Sequence, residues 1–347
     1  MTPSRKNIAV SAVLSVTAVL LTAFSAQLAD DMRQAVMRCM NIIIPSLFAF
    51  MAVSDLMVRS GGYIPLSAPL RPLSWLAGLP KEYGALFLIS NIAGYPVGAS
   101  MICRMYDRKT LDKRDAERLL CTCYGAGPAF FCSAVGVTVF GSQRTGMLIF
   151  LSCAAANIIV SAVVFRIFPI RRTEQTVNRT FSAEMLPESV SAAGRGLFGI
   201  CSMILFFQMI MTLVSPLTEH IPVTDNTRRT MLAFIEISSL TSLTGTPYRM
   251  LPLIAAAGAF GGVCVLMQVY VIVGGRFSLK PFLTARTAGT CVSAGMMRLL
   301  WHLFGTKTAA ASTGLSIMVN FNNFIPSVCL IMMIFLTVLR KRVAFSD

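Results

Sequence analysis

Leu86-Phe87-Leu88-Ile89-Ser90-Asn91-Ile92-Ala93-Gly94-Tyr95-Pro96-Val97-Gly98-Ala99 is an apolar run broken at its centre by glycine and proline. Backbone that leaves the helix inside hydrocarbon strands N–H and C=O groups, at several kcal/mol each, unless protein or a watery cavity receives them. Cys123-Tyr124-Gly125-Ala126-Gly127-Pro128-Ala129-Phe130-Phe131 is broken in the same way. The second half of the chain has two interrupted stretches at matching places, Phe234 to Gly245 and Gly258-Ala259-Phe260-Gly261-Gly262-Val263. Interrupted segments in corresponding positions of two halves point to the substrate site of a membrane transporter. The pattern predicts a carrier.

Composition fixes the class. The 347 residues are 55% hydrophobic and only 13% charged, with a mean hydropathy of +0.70, too apolar for a soluble domain of this length. A net charge of +15 could suggest a nucleic-acid partner. The Lys and Arg residues, however, lie in short loops between apolar spans, and no soluble element gathers them into a basic face, so no nucleic acid is expected. Of the ten cysteines, Cys132, Cys153, Cys201, Cys264, Cys291 and Cys329 sit within apolar runs, where cysteine acts as a small hydrophobe. Cys121-Thr122-Cys123 lacks metal-finger spacing, and the two histidines, His220 and His302, are far apart. Neither a metal, a cofactor nor a disulfide framework is expected. The run from Asn7 to about Leu28 is longer than a secretion-signal core and ends in a poor cleavage site, so it reads as an uncleaved first helix.

About eight transmembrane helices are predicted, near 8–28, 40–58, 120–140, 146–166, 197–216, 250–274, 287–304 and 313–339. Two further apolar stretches, 83–103 and 231–247, are assigned as re-entrant hairpins. Arg104, Arg108, Lys109, Lys113, Arg114 and Arg118 crowd the loop after the first of these, and Arg59, Arg71 and Lys81 precede it. Were 83–103 to span, the two basic loops would fall on opposite sides. With both hairpins re-entrant, 22 of the 30 basic residues lie on the cytoplasmic side, as do both termini. The result is an all-α polytopic membrane protein with an inverted repeat. Its first helix occupies 1–30, the repeats occupy 31–168 and 196–310 with a cytoplasmic linker at 169–195 between them, and a terminal helix with basic tail occupies 311–347. The terminal helix carries Asn320, Asn322, Asn323 and Pro326, which suit contact with protein more than lipid. In the span 287–304, Arg298 and His302 leave open an interfacial amphipathic helix. The charged stretch Lys109 to Leu119 reads as a solvated surface helix.

Gly94 and Gly98 permit turns that other residues resist, and Pro96 removes a donor. A helix restarting at Val97 would aim its free N–H groups at the membrane centre, where an anion could lie. The competing reading is a tight turn buried by neighbouring helices; Gly125 and Gly127, breaking a second segment, favour a site. Glu236 is the one carboxylate well inside an apolar run. It could couple a proton, accept a hydrogen bond from substrate, or pair with Arg249. Ser238, Ser239, Thr241, Ser242 and Thr244 would offer hydroxyls, or back-bond to their own carbonyls. Asn91 adjoins the first break and Gln268 follows Gly261 and Gly262, which ranks them above Asn157 and Gln208 as ligand contacts rather than interhelical bonds. Tyr95 could stack on an aromatic ligand. Asp55 lies beside Arg59 and reads as an interfacial pair.

Several of these segments resemble the YlbJ-type sporulation integral membrane proteins, part of the wider nucleoside-recognition or Gate domain group. The likeness rests on Ile44-Pro45-Ser46-Leu47-Phe48-Ala49-Phe50 with Ser54, on Ala93 to Ala99, on Asp115 to Leu120, and on Ala259-Phe260-Gly261-Gly262 with Gln268-Val269. It covers about 30 to 340, and the chain departs from it in the residues from Tyr124 to Gly127. The resemblance implies a carrier in the cell membrane or outer forespore membrane of an endospore-forming bacterium, moving dipicolinic acid, a small aromatic dianion, with a coupling proton or sodium ion an open question. Two rival readings are a non-transporting sporulation scaffold that recruits partners through its basic loops, and a nucleoside–cation symporter. No catalytic motif supports an enzyme.

Overall fold

A computed structural model describes residues 5–170, 181–218, 221–243 and 245–309, and every regular element among them is helical. The expected helix 313–339, the basic tail, the middle of the linker, His220 and Thr244 lie outside the described residues.

Among the described residues three helices are long and apolar enough to cross a membrane: Gln143–Ile167, Met185–Pro216 and Tyr248–Val273. They correspond to the expected spans 146–166, 197–216 and 250–274. Two bent pairs, Val10–Ala23 with Ser25–Asn41 and Leu47–Ser60 with Tyr63–Leu76, would raise the number to five. Arg5–Ala23 is apolar on every face, and Val13, Leu14 and Val19 are all more than three-fifths exposed, which suits a helix set in lipid.

Where the expected boundaries differ, local chemistry explains why. At Phe24 the chain turns by 88°. From there Ser25–Arg38, a π turn at Cys39–Ile43 and Ile44–Ser60 follow one another without a gap. The polar residues Asp30, Asp31 and Arg33 were assigned to a loop, but they are compatible with helix. The π turn falls just before Pro45, whose ring and missing N–H disturb ordinary α geometry in the preceding turn. Expected span 120–140 is not continuous: helix Lys113–Leu120 ends, the chain is unwound to Gly127, and helical structure resumes and runs to Phe140. Lys280–Ala309 contains the expected span 287–304 but is not among the apolar helices, since it carries Lys280, Arg286 and Arg298.

One end of the molecule gathers the charged termini of many elements. Asp55 receives Arg59 and Arg104, both at 2.5 Å, and Arg59 also pairs with Glu188. Arg108 donates to the Arg59 carbonyl at 2.6 Å, and Arg276 grips Asp107 with two bonds of 2.7 and 3.1 Å. Glu117 accepts from the Ser278 amide, and Arg118 donates to the Pro169 carbonyl. The Asp55–Arg59 pair expected from the sequence is thus part of a larger network. Helix Lys113–Leu120 is capped by Asp112, but it is not solvated all round, because Asp115, Ala116, Leu119 and Leu120 are buried.

Gly84–Ile92 starts near this end too. Ser67, soon after helix Ile44–Ser60, donates to the Glu82 carbonyl and accepts from the Ala85 amide. The following helix, Tyr95–Asp107, returns to the charged network through Asp107 and Arg108. The second arm of the hairpin thus ends in the charged network. A Cβ on Gly98 would lie 2.6 Å from the Ser90 Cβ, so the two arms fold tightly back on each other.

A methyl group at Gly98 would also overlap the Cys123 carbonyl, whereas Gly199, inside a helix, faces open space. Gly98→Ala is expected to cost about 1–3 kcal/mol through overpacking. Gly199→Ala should be neutral or stabilising by about 0.5–1 kcal/mol. Thermal unfolding of the detergent-purified variants measures both.

Candidate functional site

The breaks in the helices meet one another. Gly94 sits at φ +110°, a conformation that L side chains rarely adopt, and so allows the reversal at the hairpin tip. The unwound stretch Cys123–Gly127 lies along that tip. A Cβ on Gly125 would come within 3.0 Å of Asn91 Oδ1, and one on Gly127 would overlap the Ile92 carbonyl. Gly98, Gly125 and Gly127 therefore serve close approach of backbone to backbone.

Asparagines and tyrosines receive the peptide groups left unpaired. Asn91 donates to Phe87 O at 2.8 Å and Thr122 O at 3.4 Å. Asn157 donates to Asn91 Oδ1 at 2.6 Å and to Tyr124 O at 2.7 Å. Ranking Asn157 below Asn91 separated two residues that work as one unit. Tyr95 Oη donates to Gly258 O at 2.6 Å and Tyr124 Oη to Phe260 O at 2.9 Å. Those carbonyls belong to the last turn of helix Leu251–Phe260, which ends at Gly261 (φ +86°) and leaves them without helical donors. The Tyr95 ring packs against that of Tyr124, with centroids 4.8 Å apart.

The helix that resumes at Gly262 does not offer open N–H groups. Val263 N donates to Phe234 O and Cys264 N to Ile235 O, both at 2.9 Å, so the second hairpin caps it. Likewise Val97 N turns back to Gly94 O at 3.2 Å. The anion cradle expected at these helix starts is filled by the chain's own carbonyls. The hairpin itself, expected over 231–247, is built from helix Asp225–Leu232, a turn, and a 3-10 segment Ile237–Ser242.

Arg286 is the residue that sequence reading missed. It was assigned to a cytoplasmic loop, yet it lies within helix Lys280–Ala309 and is 1% exposed. Its Nη1 donates to Asn157 Oδ1 at 2.9 Å and Tyr124 O at 3.3 Å, and its Nη2 to Cys121 O. The guanidinium lies 4.9 Å from the Tyr124 ring centroid and 5.8 Å from that of Phe282. Nε has no partner, and among the described residues no carboxylate pairs with this cation. Partial negative charge comes instead from carbonyls at the C-terminal end of helix Lys113–Leu120. The available signal was its setting, small residues Ala285, Ala288 and Gly289 around one arginine.

Glu236, 5% exposed, accepts from the Ser238 amide at 3.0 Å and from the Ser238 hydroxyl. Its expected partner Arg249 is exposed and forms no described ion pair. Ser238 is reached instead by Arg38 Nη1 at 3.1 Å, while Arg38 Nη2 donates to Gln208 Oε1 at 2.5 Å. Ser239, Thr241 and Ser242 bond to carbonyls of their own segment. Gln268 is buried and donates to Cys264 Sγ at 3.5 Å. The site residues thus fall into two groups. Asn91, Gly94, Tyr95, Pro96, Gly98, Gly125, Gly127 and Gly261 belong to the layer of breaks, whereas Glu236, Ser238, Ser239, Thr241, Gly262 and Gln268 belong to the second hairpin and its surroundings.

Removing a tyrosine hydroxyl deletes one bond, but removing Asn157 leaves Arg286, Asn91 and a carbonyl each short of a partner. Tyr124→Phe is expected to cost about 0.5–1.5 kcal/mol and Asn157→Leu more, about 3 kcal/mol or above. Denaturation midpoints of the two purified variants test that order.

No protein-family model matches the chain, and no solved structure matches it. Over 110 residues, 31% of its length, the chain is 26% identical to the sporulation integral membrane protein YlbJ of Bacillus subtilis (strain 168), and the match spans 27% of that protein.

Proposed function

We propose that this chain is an α-helical membrane carrier of a small anionic solute, and that the solute is dipicolinate moved during endospore formation. The observation that carries the reading is the meeting of interrupted segments beside Arg286, a buried cation that no carboxylate pairs among the described residues. Charged groups away from water are costly and mark solute pathways. The likeness to a sporulation integral membrane protein supports the setting. The halves are read as inverted copies within about eight spans and two hairpins, one rocking against the other. Clustering of basic element ends at one pole supports a cytoplasmic face there, with both termini on that side, in the cell membrane or outer forespore membrane. The scaffold reading gains little, since Asp107, Glu117 and Arg118 bond within the chain rather than standing free for a partner.

Purified protein in liposomes is expected to take up dipicolinate in preference to uridine. Arg286→Gln should lower the rate about tenfold or more, with the protein still folded, through loss of charge-assisted bonds. Uptake of uridine alone would favour a nucleoside symporter, and no uptake by folded wild-type protein would leave the scaffold.

A further inference from the structure

Arg38 has no role in the reading above, and it was placed in a loop outside the membrane. It projects from the long helical run into the contact with helix Met185–Thr218 and the 3-10 segment Ile237–Ser242. Gln208, its partner, is about twenty residues, roughly 30 Å of helix, from Glu188 in the charged network. Arg38 is therefore on the far side of the breaks from the basic loops.

Its surroundings are those of an incomplete anion site. Arg38 is only half-buried, and both of its bonded partners, Ser238 and Gln208, are neutral. Its Nε is buried and unpartnered. The edge formed by Nε and Nη2 suits a carboxylate bidentately, and at present a neutral amide oxygen occupies half of it. Glu236 does not pair with Arg38 directly among the described residues; Ser238 stands between them, donating to the carboxylate and accepting from the guanidinium. The two opposite charges are thus balanced through one hydroxyl.

We infer that Arg38 binds a carboxylate group of the solute and that Glu236 takes up a proton when it does so. The inference rests on the anion-carrier reading and adds the binding residue and the coupling ion. With Glu236 ionised, the Arg38–Ser238–Glu236 chain is neutral and an anion gains little there. A proton from solution added to Glu236 Oε2 ends its negative charge, and Ser238 no longer draws Arg38 toward it. The site then has one net positive charge, which a carboxylate at Nε and Nη2 returns to zero. Binding of one carboxylate with one proton keeps the charges of Arg38, Glu236 and that carboxylate summed to zero.

Other ionisable groups near Glu236 are few. Cys39 and Cys264 lie within its electrostatic reach, and Cys201 lies beside Cys39. Asp225 is engaged by Arg228 and Arg229, Asp31 accepts from Thr212, and Phe130–Phe140 carries no charged side chain. Arg38 and Glu236 are the two charged residues of the cluster.

The test uses full-length protein in nanodiscs, pyridine-2,6-dicarboxylate as probe and uridine as neutral control. Binding is measured across pH, and proton uptake is followed with an indicator dye in weak buffer. Wild-type protein should bind more tightly as pH falls, taking up about one proton per ligand. Glu236→Gln, which keeps an acceptor for the Ser238 amide, should bind with no proton uptake and a flat pH profile. Arg38→Gln should weaken binding by about tenfold or more, with Arg38→Lys intermediate. Binding by wild type without proton uptake overturns the inference, as does no binding at any pH, or a wild-type pH slope in Glu236→Gln. Should Arg38→Gln not fold, the Glu236→Gln profile decides. Wild type that binds with proton uptake but moves nothing across liposomes refutes the carrier reading and leaves this site standing.

Discussion

A peptide group in apolar surroundings must find a hydrogen-bond partner, and in this chain the interrupted segments find theirs in one another. The traffic runs both ways between the halves. Tyr95 and Tyr124, from the first, donate to carbonyls at the end of helix Leu251–Phe260 in the second. Arg286, from the second, donates to carbonyls of Cys121 and Tyr124 in the first. Each bond is worth about 1 kcal/mol net, but a buried group left without its partner costs about 1–3 kcal/mol. One half cannot shift against the other without exchanging these partners.

The charged network at one pole complements this layer. Asp55, Asp107, Glu117 and Glu188 meet arginines or an amide there, so the element ends are held together by ion pairs while the breaks inside are joined by bonds to asparagine, tyrosine and the Arg286 cation. Individual exposed pairs contribute little, about 0–1 kcal/mol, and the partly buried Asp55 shared by Arg59 and Arg104 is the stronger anchor. A pole fixed in this way leaves the opposite side, where Arg38 and the second hairpin lie, as the more readily opened one.

Much of this was legible in the sequence. Gly-Tyr-Pro-Val-Gly announced a break between two helices, a local signal written in residues next to one another. The glycines were harder to interpret. Gly98, Gly125 and Gly127 are equally consistent with a ligand or with neighbouring backbone, and only the approach of Cys123, Asn91 and Ile92 identifies the neighbour. Arg38 and Arg286 escaped for a different reason. Charge counting places every arginine beside an apolar run in a loop, because partners 129 to 200 positions away in the chain are invisible to it. The side bias survives their removal, becoming 21 basic residues against 7. The expected eight spans depended on treating the polar helical residues near Asp31 as a boundary.

The two interior arginines differ in a way that assigns them different work. Arg286 is closed: its Nη1 and Nη2 groups are bonded, aromatic rings cover its face, and nothing but rearrangement of the breaks would expose it. Such a cation contributes a fixed positive potential, strong because its surroundings are poorly polarisable and no carboxylate pairs with it among the described residues. Arg38 is only half-buried, and a neutral amide is the partner to be displaced; its Nε, like that of Arg286, is buried and unpartnered. A fixed charge attracts an anion into the protein but cannot release it differently on the two sides. A charge whose balance depends on whether Glu236 holds a proton can, because the same carboxylate competes for it in one state and not in the other. In the carrier reading proposed above, directional movement of an anion therefore needs the half-buried arginine more than the fully buried one.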